Sequence, residues 1–442
     1  MANLPKGSKK LLNAWAFYDW ANSVYSLVIA SAIFPIFYGA LTLVKDEKGK
    51  ILDDTVTFLG FDFNNDTLIS YVTAAAFLMV SIVSPLLSGV ADYVGNKKVF
   101  MKFFCYLGAV SCIGLYWFSL DYLWFGLLCY FLALIGFWAS LVFYNSYLPD
   151  IAFPEQQDKI SAKGYSLGYI GSVILLCVCL AMILMYETFG FEDEGLPTRL
   201  SFVLTGVWWI GFSQYTYYYL PKGNKKQKFT KHLLFNGFKE LKKIWNKLGE
   251  NKSLKRYLAA FFIYSMAVQT IMLVATYFGI EELDWGETNA TTGLIVSILL
   301  IQLVAVLGAF LTSRASAKFG NINTLIVLNI IWICICIYAY SITTPVQFYV
   351  TAGFVGLVMG GIQSLSRSTY SKLIPEGAID TASYFSFYDV AEKIGIVIGM
   401  FSYGFVAQAT GSIRYAILFF ILFFVVGLVL LFRVPRGVEV SE

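Results

Sequence analysis

Charged residues are scarce in this chain. Lys, Arg, Asp and Glu make up 14% of its 442 residues, whereas hydrophobic residues make up 58% and aromatic residues 18%. A soluble protein has about a quarter of its residues charged, because it must cover its surface with groups that water solvates. The composition therefore excludes the soluble class and predicts an integral membrane protein.

Histidine and nucleotide-binding motifs are also missing or nearly so. The chain has one histidine, His232. It has no Gly-x-x-x-x-Gly-Lys-Ser/Thr loop of the kind that holds nucleotide phosphates, and no His or Cys cluster with the spacing of metal ligands. These absences argue against an enzyme, an ATP-driven pump and a metal centre. We expect no cofactor.

Long apolar runs dominate what is present. Crossing about 30 Å of hydrocarbon requires about 20 helical residues at a rise of 1.5 Å each. The runs are continuous, whereas the strands of a membrane barrel alternate over about ten residues. We therefore predict an all-α fold with twelve transmembrane helices. The predicted spans cover residues 13–40, 67–90, 99–119, 122–147, 164–186, 199–220, 256–279, 289–312, 322–342, 345–367, 382–408 and 412–433.

Basic residues orient these spans. If the N-terminus is cytoplasmic, the segments on the inner side hold 26 of the 32 Lys and Arg residues, and the outer loops hold five. Cytoplasmic loops of membrane proteins carry such an excess. We predict a multi-pass protein of the plasma (inner) membrane with both termini in the cytoplasm.

A basic segment divides the chain into two halves of six spans. Residues 221–255 contain eleven Lys, and apolar residues recur along them at helical spacing: Leu234, Phe238, Leu241, Trp245 and Leu248. This pattern predicts a basic amphipathic helix against anionic lipid, and not a nucleic-acid site. Six spans on each side of one loop indicate a duplicated bundle. We predict an N-terminal six-helix bundle (1–220), a cytoplasmic linker (221–255) and a C-terminal six-helix bundle (256–442).

Asp19 places a carboxylate within the first apolar span. A charge at membrane depth costs about 2.5–3.5 kcal/mol on insertion scales, so such residues face a cavity or a charged partner. Tyr18 and Asn22 lie on the same span, and Tyr144 and Asn145 lie near the inner end of span 4. We expect these side chains to meet around a solute or proton path. For Asn145, a cap at the end of its own helix is an equal alternative.

Spans 10 and 11 carry two further polar groups. Near the inner end of span 10, beside Gln363, Arg367 either holds a carboxylate through two parallel hydrogen bonds or extends to the inner headgroups, and the second interpretation is favoured. In span 11, Asp389 and Lys393 are four residues apart, which predicts an ion pair that Glu392 joins or competes for. That pair either ties span 11 to a neighbour or serves substrate or ion coupling. All these groups lie in the inner half, so they predict an inner gate as an alternative to a binding site.

The loop after span 2 has a recognisable pattern. It combines glycines, which allow sharp turns, an acid that can cap a helix, and paired lysines: Gly89, Asp92, Gly95, Lys97 and Lys98. A degraded copy, Ser313–Gly320, follows span 8. The pattern resembles the signature loop of the major facilitator superfamily. This resemblance implies that the loop latches the two halves together and does not bind substrate.

Four motifs in order extend the resemblance almost from end to end. They are similar to the vacuole-effluxer-like branch of that superfamily, which contains fungal autophagy-related vacuolar amino-acid effluxers and bacterial permeases. The motifs are Tyr18–Tyr25, Phe143–Asp150, Gly164–Gly171 and Gly360–Ser368. The resemblance implies a secondary active transporter that moves a small-molecule substrate, an amino acid or related metabolite, by alternating access. We expect a monomer in the lipid bilayer, with proton coupling through Asp19 or Asp389 as a subsidiary hypothesis.

Two alternatives stay open. Aromatic residues such as Trp15, Trp20 and Trp138 would suit stacking on a sugar, which favours a muropeptide or sugar permease, although aromatics also populate membrane interfaces. A non-transporting receptor with the same fold is the rival class. The glycine pairs Gly164/Gly168 and Gly356/Gly360 predict close helix packing and not substrate contact.

Overall fold

The computed structural model describes residues 4–45, 51–223, 233–286 and 290–435. Within these residues, twelve long helices follow one another, and we number them as spans 1 to 12. Their bounds are Lys9–Thr42, Asn65–Val94, Lys97–Gly114, Leu123–Asn145, Pro154–Leu184, Gly195–Tyr219, Lys252–Glu281, Ala290–Phe319, Asn321–Ala339, Pro345–Leu373, Thr381–Thr410 and Ile413–Phe432. A separate linker helix, Leu233–Glu250, joins the two sets of six.

The predicted all-α membrane fold is confirmed. Eleven of the helices in the described residues are long and apolar enough to cross a membrane. Span 6 is the exception, because it carries Arg199 and many tyrosine, serine and threonine residues. The helices also extend beyond their apolar runs: span 5 begins at Pro154 and span 8 continues to Phe319. These polar ends give no apolar signal, so the predicted boundaries were too short there.

Span 1 is not a uniform helix. It begins as an α-helix, Lys9–Val24, continues as a π-helix, Tyr25–Ile33, and ends as an α-helix, Phe34–Thr42. Pro35 lies in the first turn of the last part, where a residue without a backbone N–H is tolerated. π-helices are rare and occur mostly as single turns, frequently at functional sites. The nine-residue π-helix is therefore a marked feature of the span that carries Asp19.

The described part of the loop after span 1 contains four short strands. β1, Val44–Lys45, pairs with β2, Ile51–Asp53, and β3, Thr55–Phe58, pairs with β4, Phe61–Asn64, both antiparallel. These strands follow the end of span 1 at Thr42, so they lie at the end of the bundle opposite to Lys9. We call the other end, where Lys9 and Phe432 lie, the terminal face.

The buried apolar residues form two clusters. One is drawn from spans 1 to 6 with Ala382 of span 11. The other is drawn from spans 7 to 12 and the linker helix, with Val142 and Tyr169 of the first half. Each set of six spans therefore packs around its own core. The exact division of the chain at residues 221–255 stays a prediction.

The two halves share one detailed contact that supports duplication. At the start of span 6, Arg199 donates to the backbone carbonyls of Tyr116 and Phe118, at the end of span 3, at 2.7 Å each. At the start of span 12, Arg414 donates to the carbonyl of Tyr340, at the end of span 9, also at 2.7 Å. In each half, an arginine at the equivalent position thus donates to free carbonyls at the end of the equivalent helix.

The linker helix packs against the terminal face. The residues that it buries only partly match the predicted apolar residues. Gly237, Ile244 and Leu248 are buried, whereas Phe238 and Trp245 are 53% and 60% exposed. A Cβ on Gly237 would lie 2.7 Å from a methyl carbon of Val90, so the helix backbone lies directly on span 2. The predicted apolar residue Leu234 has no described side chain, and His232 lies outside the described residues.

Candidate gate and solute cavity

A buried ion pair joins the two halves near the terminal face. Arg367 of span 10 donates from both terminal nitrogens to Oδ2 of Asp19 in span 1, at 3.2 Å each. The hydroxyl of Tyr144 donates to the same oxygen at 2.8 Å, and Arg367 also donates to the amide oxygen of Asn145 at 3.2 Å. Four residues predicted from the sequence therefore meet. Together with Ser161, described next, we call them the gate cluster.

Arg367 does not extend to the headgroups, so the favoured interpretation of this residue was wrong. Its side chain is 2% exposed. Its Nε donates to the hydroxyl of Ser161 at 3.0 Å, and one terminal nitrogen donates to the carbonyl of Ser161 at 3.0 Å. The rings of Trp15 and Tyr165 flank the guanidinium at 4.9 and 4.2 Å. A guanidinium that finds a carboxylate, three further acceptors and aromatic faces does not need water.

Small residues allow the helices to approach at this cluster. A Cβ on Gly164 of span 5 would overlap the carboxylate of Asp19, and Gly168 lies against span 1 one turn further on. In the second half, Gly356 and Gly360 of span 10 lie directly on backbone carbonyls of span 8. The predicted packing role of both glycine pairs is confirmed. Gly164 also lies beside the charged groups of the gate cluster. Close helix packing alone does not require that position.

Tyr18 and Asn22 do not join the gate cluster through hydrogen bonds. The ring of Tyr18 lies 4.9 Å from that of Tyr144, but its hydroxyl is buried without a hydrogen-bond partner among the described residues. The amide oxygen of Asn22 accepts from Ser23 at 3.3 Å, and its amide nitrogen is likewise unpartnered. Both side chains are buried and keep one polar atom without a hydrogen-bond partner among the described residues.

A second charged group lies on span 11. Nζ of Lys393 is 3.0 Å from Oδ1 of Asp389 and 2.7 Å from Oε2 of Glu392. The predicted ion pair between Asp389 and Lys393 is confirmed, and Glu392 joins it. The ring of Trp138 on span 4 lies 3.4 Å from the same Nζ, so this group also contacts the first half. We call Asp389, Glu392 and Lys393 the span 11 triad.

A cavity lies between spans 5, 7, 10 and 11, next to both charged groups. Glu392 of the triad lines it, and so does Tyr165, which flanks Arg367. Gln363 is part of the wall and accepts a hydrogen bond from the hydroxyl of Tyr169 at 2.7 Å. The other lining residues are Phe261, Tyr264, Ser265, Val268, Gln269, Ile362, Ser366 and Tyr388. The wall is therefore mostly aromatic and amide, with one carboxylate.

The loop after span 2 contacts the other half at the start of span 11. Asp92 accepts from the backbone N–H of Ala382 at 3.3 Å and of Ser383 at 2.7 Å. These are orphan donors of a helix N-terminus, whose partial positive charge favours a carboxylate. Lys97 donates to Thr381 and pairs with Asp150.

The other loop residues stay within the first half or meet the linker. Lys98 donates to the carbonyl of Leu220 at 2.7 Å, so it does not cross between halves. Gly95 ends span 2 with a φ of 71°, a conformation that glycine adopts without strain. A Cβ on Gly89 would overlap the carbonyl of Gly237 in the linker helix. Of the five predicted latch residues, Asp92 and Lys97 are therefore the two that bridge the bundles.

A matching contact in the second half was missed by the sequence analysis. Asp158, near the start of span 5, accepts from Lys372 at 2.6 Å, from Ser316 at 3.1 Å and from Asn321 at 2.9 Å. Ser316 lies within the degraded copy of the loop, and Asn321 follows it directly. In the first half the loop supplies the acid to span 11, whereas here span 5 supplies the acid to the loop. Because the acid has changed partners, a search for the loop pattern cannot find it.

The linker helix adds charge beside the latch. Asp380 immediately precedes span 11, and Nζ of Lys247 lies 3.6 Å from it. Burial raises the pKa of the Asp380 carboxyl above its ordinary value, and the carboxylate of Glu240 raises that pKa further, while Lys243 and Lys247 oppose the shift. The loop after span 2 and the linker helix therefore both make polar contacts at the start of span 11.

These contacts describe a membrane protein closed at one end. The bridging polar contacts of Asp19, Asp92, Lys97 and Asp158 gather near the terminal face, and the cavity lies beside them. In the described part of the chain, no group of three or more His, Cys, Asp or Glu residues is placed to hold a metal ion. The described structure therefore closes the terminal face by contacts between the two halves and leaves a small cavity beside them.

Comparisons with known proteins agree with this geometry. Residues 7–439 match the protein family described as "Vacuole effluxer Atg22 like". The chain is 31% identical to an uncharacterized MFS-type transporter, YxiO, of Bacillus subtilis (strain 168), across 97% of this chain and 96% of that relative. It is 25% identical to autophagy-related protein 22 of Coccidioides immitis (strain RS), across 97% of this chain and 87% of the relative.

The fold is shared with a solved transporter. The structure superposes on FucP, an E. coli fucose:proton symporter solved in the outward conformation, with a TM-score of 0.68. The alignment covers 97% of this chain and 99% of FucP at 13% identity. At this identity the likeness establishes the major facilitator architecture and not the cargo.

Proposed function

The chain belongs to the Atg22-like vacuole effluxer family of the major facilitator superfamily, and from this membership of a multi-pass transporter family we propose that it moves a small solute by alternating access. The relatives are transporters and effluxers, not enzymes. The observation that carries the proposal is the buried pair of Asp19 and Arg367, which joins the two bundles beside a cavity.

The gate cluster suits a two-state gate. While it is closed, each charge is desolvated and depends on the other, so removing one partner leaves an uncompensated charge. When the bundles separate at the terminal face, water enters and solvates both groups. The two groups are therefore satisfied by each other in the closed state and by water in the open state, which is compatible with rocking of one bundle against the other.

An amino acid or related metabolite is the proposed cargo. The cavity offers the Glu392 carboxylate for an ammonium group, and the amides of Gln269 and Gln363 for a carboxylate or polar side chain. Its aromatic wall adds apolar surface of the kind that fills most small-molecule sites. An amino acid carries all three kinds of group.

A sugar or muropeptide is the second candidate. Tyr165, Phe261, Tyr264 and Tyr388 place four aromatic rings around the same cavity as two amides, a combination that suits a ring with several hydroxyls. The carboxylate of Glu392 contributes less to such a solute. Removal of the Glu392 carboxylate should therefore weaken binding of an amino acid more than binding of a sugar.

The energy source and membrane position complete the proposal. We place the termini in the cytoplasm and the protein in the plasma membrane, because the basic residues concentrate on the side of the terminal face. A proton gradient is the proposed driving force, since two buried groups with carboxylates border the cavity. The protein is proposed to act as a monomer.

Reconstitution into sealed liposomes tests the function. Labelled amino acids, sugars and a muropeptide are offered separately, with an imposed pH gradient and with a protonophore. We expect gradient-driven movement of amino acids that the protonophore abolishes. Asp121→Asn, a change at an exposed turn, serves as the matched control and should transport as the wild type does. Binding of a solute in a thermal-shift assay without any movement would instead identify a receptor.

A further inference from the structure

One ammonium serves two carboxylates in the span 11 triad. Lys393 has no exposed surface and lies between Asp389 and Glu392, with the neutral ring of Trp138 against it. In the described residues, no other cation forms an ion pair with either carboxylate. If both acids were ionised, this buried group would carry one excess negative charge.

The surrounding residues do not remove that charge. Gln269 of span 7 donates to Glu392 at 2.7 Å, but an amide is neutral. The ionisable groups that face the cavity are the phenols of Tyr165, Tyr264 and Tyr388, and a phenol with its ordinary pKa of about 10 is neutral near pH 7. Span 4 carries no charged residue, and spans 2 and 12 carry charged residues only near their ends. Arg367 is already paired with Asp19.

The two carboxylates are not equivalent. Oε1 of Glu392 accepts from Gln269, and Oε2 accepts from Lys393. Asp389 is 6% exposed, and its Oδ1 faces Lys393, but its Oδ2 is buried with no hydrogen-bond partner among the described residues. Burying an unsolvated anionic oxygen costs far more than burying a neutral hydroxyl. The missing cation therefore belongs on Oδ2 of Asp389.

We propose that the span 11 triad binds one exchangeable proton, held on Oδ2 of Asp389, and that this is the coupling ion of the transporter. The coupling role of this proton rests on the proposed transport function. Proton binding itself is a property of the folded chain and does not depend on transport. Binding forms one O–H bond and converts the triad from a net charge of minus one to zero, and release returns the proton to water. A metal ion fits less well, because it would lie beside the ammonium of Lys393 and would need several further oxygen ligands.

Thermal unfolding of the purified full chain in detergent tests the proposal without any solute. A proton held by the folded protein and not by the unfolded chain stabilises it at low pH, and this stability is lost as pH rises through the release point. One proton changes the unfolding equilibrium constant tenfold per pH unit within that window. We expect the wild type to show this loss as pH rises through the release point of a single proton.

Removing either carboxylate should remove the effect. Asp389→Asn eliminates the proton site, and Glu392→Gln leaves one acid with one ammonium, so neither variant needs a proton. Both should lack the tenfold change, whereas Asp121→Asn, at an exposed turn, should keep it. If one variant does not fold, the other still decides. A pH dependence that persists in both variants would overturn the proposal.

The nature of the cation is tested in the same assay. Sodium chloride replaces choline chloride at constant ionic strength and pH. We expect the wild-type midpoint to stay unchanged. A sodium-dependent rise that Asp389→Asn abolishes would assign the site to sodium and overturn the proton assignment. Failure of solute transport in liposomes, by contrast, would leave both outcomes intact and would count only against the proposed function.

Discussion

Gly164 leaves just enough room for the carboxylate of Asp19. An added Cβ would overlap Oδ2 of Asp19, and it would lie 3.1 Å from a terminal nitrogen of Arg367 and 3.2 Å from the hydroxyl of Tyr144. One glycine on span 5 therefore sets the distance at which span 1 and span 10 can exchange hydrogen bonds.

Gly164→Ala should force the gate cluster apart. Overpacking of a well-packed site costs about 1–3 kcal/mol, so the thermal midpoint of the purified protein should fall. Ser364 is buried beside Ser161. A cysteine introduced at Ser364 should react faster with a thiol reagent added from the side of the terminal face. Gly211→Ala is the control, because a Cβ there meets no atom within 4 Å. Equal midpoints and equal labelling for the two variants would show that Gly164 does not set the spacing.

Asp19 and Arg367 should be strongly coupled in a double-mutant cycle. Asp19→Asn leaves an unpaired buried guanidinium and Arg367→Met leaves an unpaired buried carboxylate, each at a cost of about 3–5 kcal/mol. The double variant buries no net charge and should recover a large part of that loss. The measurement is the free energy of unfolding of all four proteins. Additive losses would mean that the two side chains do not interact as the geometry indicates.

Asp92 should act as a cap on span 11. Asp92→Ala leaves the N–H groups of Ala382 and Ser383 without their acceptor and should cost about 1 kcal/mol. Asp92→Asn keeps an acceptor oxygen and should lose less, because only the charge and its interaction with the helix dipole are removed. Thermal midpoints rank the three proteins. Equal losses for Asn and Ala would show that the charge, and not the acceptor oxygen, is what matters here.

The contact between Gly237 and span 2 should hold the linker helix in place. Gly237→Ala introduces a Cβ at 2.7 Å from Val90, which should lift the helix and raise its rate of cleavage by trypsin several-fold. Gly249→Ala is matched to it, because both changes raise helix propensity and the second meets no atom within 4 Å. Comparable cleavage of the two variants would argue against a packing role for Gly237.

Docking of the linker helix should weaken as pH rises. Burial and Glu240 raise the pKa of Asp380 above its ordinary 3.8, so the docked state binds more protons than the released state between the two values. Stability from a raised carboxyl pKa is present at low pH and is lost as pH rises through that window. Hydrogen exchange of residues 237–250, corrected for its intrinsic pH dependence, should show this loss, and Asp380→Asn should abolish it. Lys243, Lys247 and Tyr384 also face Asp380, and none of them is changed in the comparison.

Local patterns predicted the parts of this molecule that depend on neighbours in the sequence. Twelve apolar runs identified the spans because hydrocarbon requires a fixed helix length. Spacing of four residues identified the pair of Asp389 and Lys393 because a helix places them on one face. In both cases the interaction is decided within one helix.

Contacts between distant helices were harder to predict. Arg367 and Asp19 are 348 residues apart, and no local rule distinguishes an arginine that finds a carboxylate from one that reaches the headgroups. Asp158 was missed for the same reason, since its partners lie on spans 8, 9 and 10. The π-helix of span 1 was not predicted either, because the residues Tyr25–Ile33 contain no glycine or proline that would mark a change of helix type.

That π-helix has a mechanical consequence. A π-helix has more residues per turn than an α-helix. Conversion of Tyr25–Ile33 to α-helix therefore changes the position of residues along the helix axis. Each residue passed turns the part of span 1 before Tyr25 by about 100° and shifts it by about 1.5 Å. Such a screw motion would carry Asp19 off the guanidinium of Arg367 while both helices stay hydrogen-bonded. The π-helix of span 1 thus supplies a way to open the gate cluster by rotation and translation of one helix segment, without movement of a whole bundle.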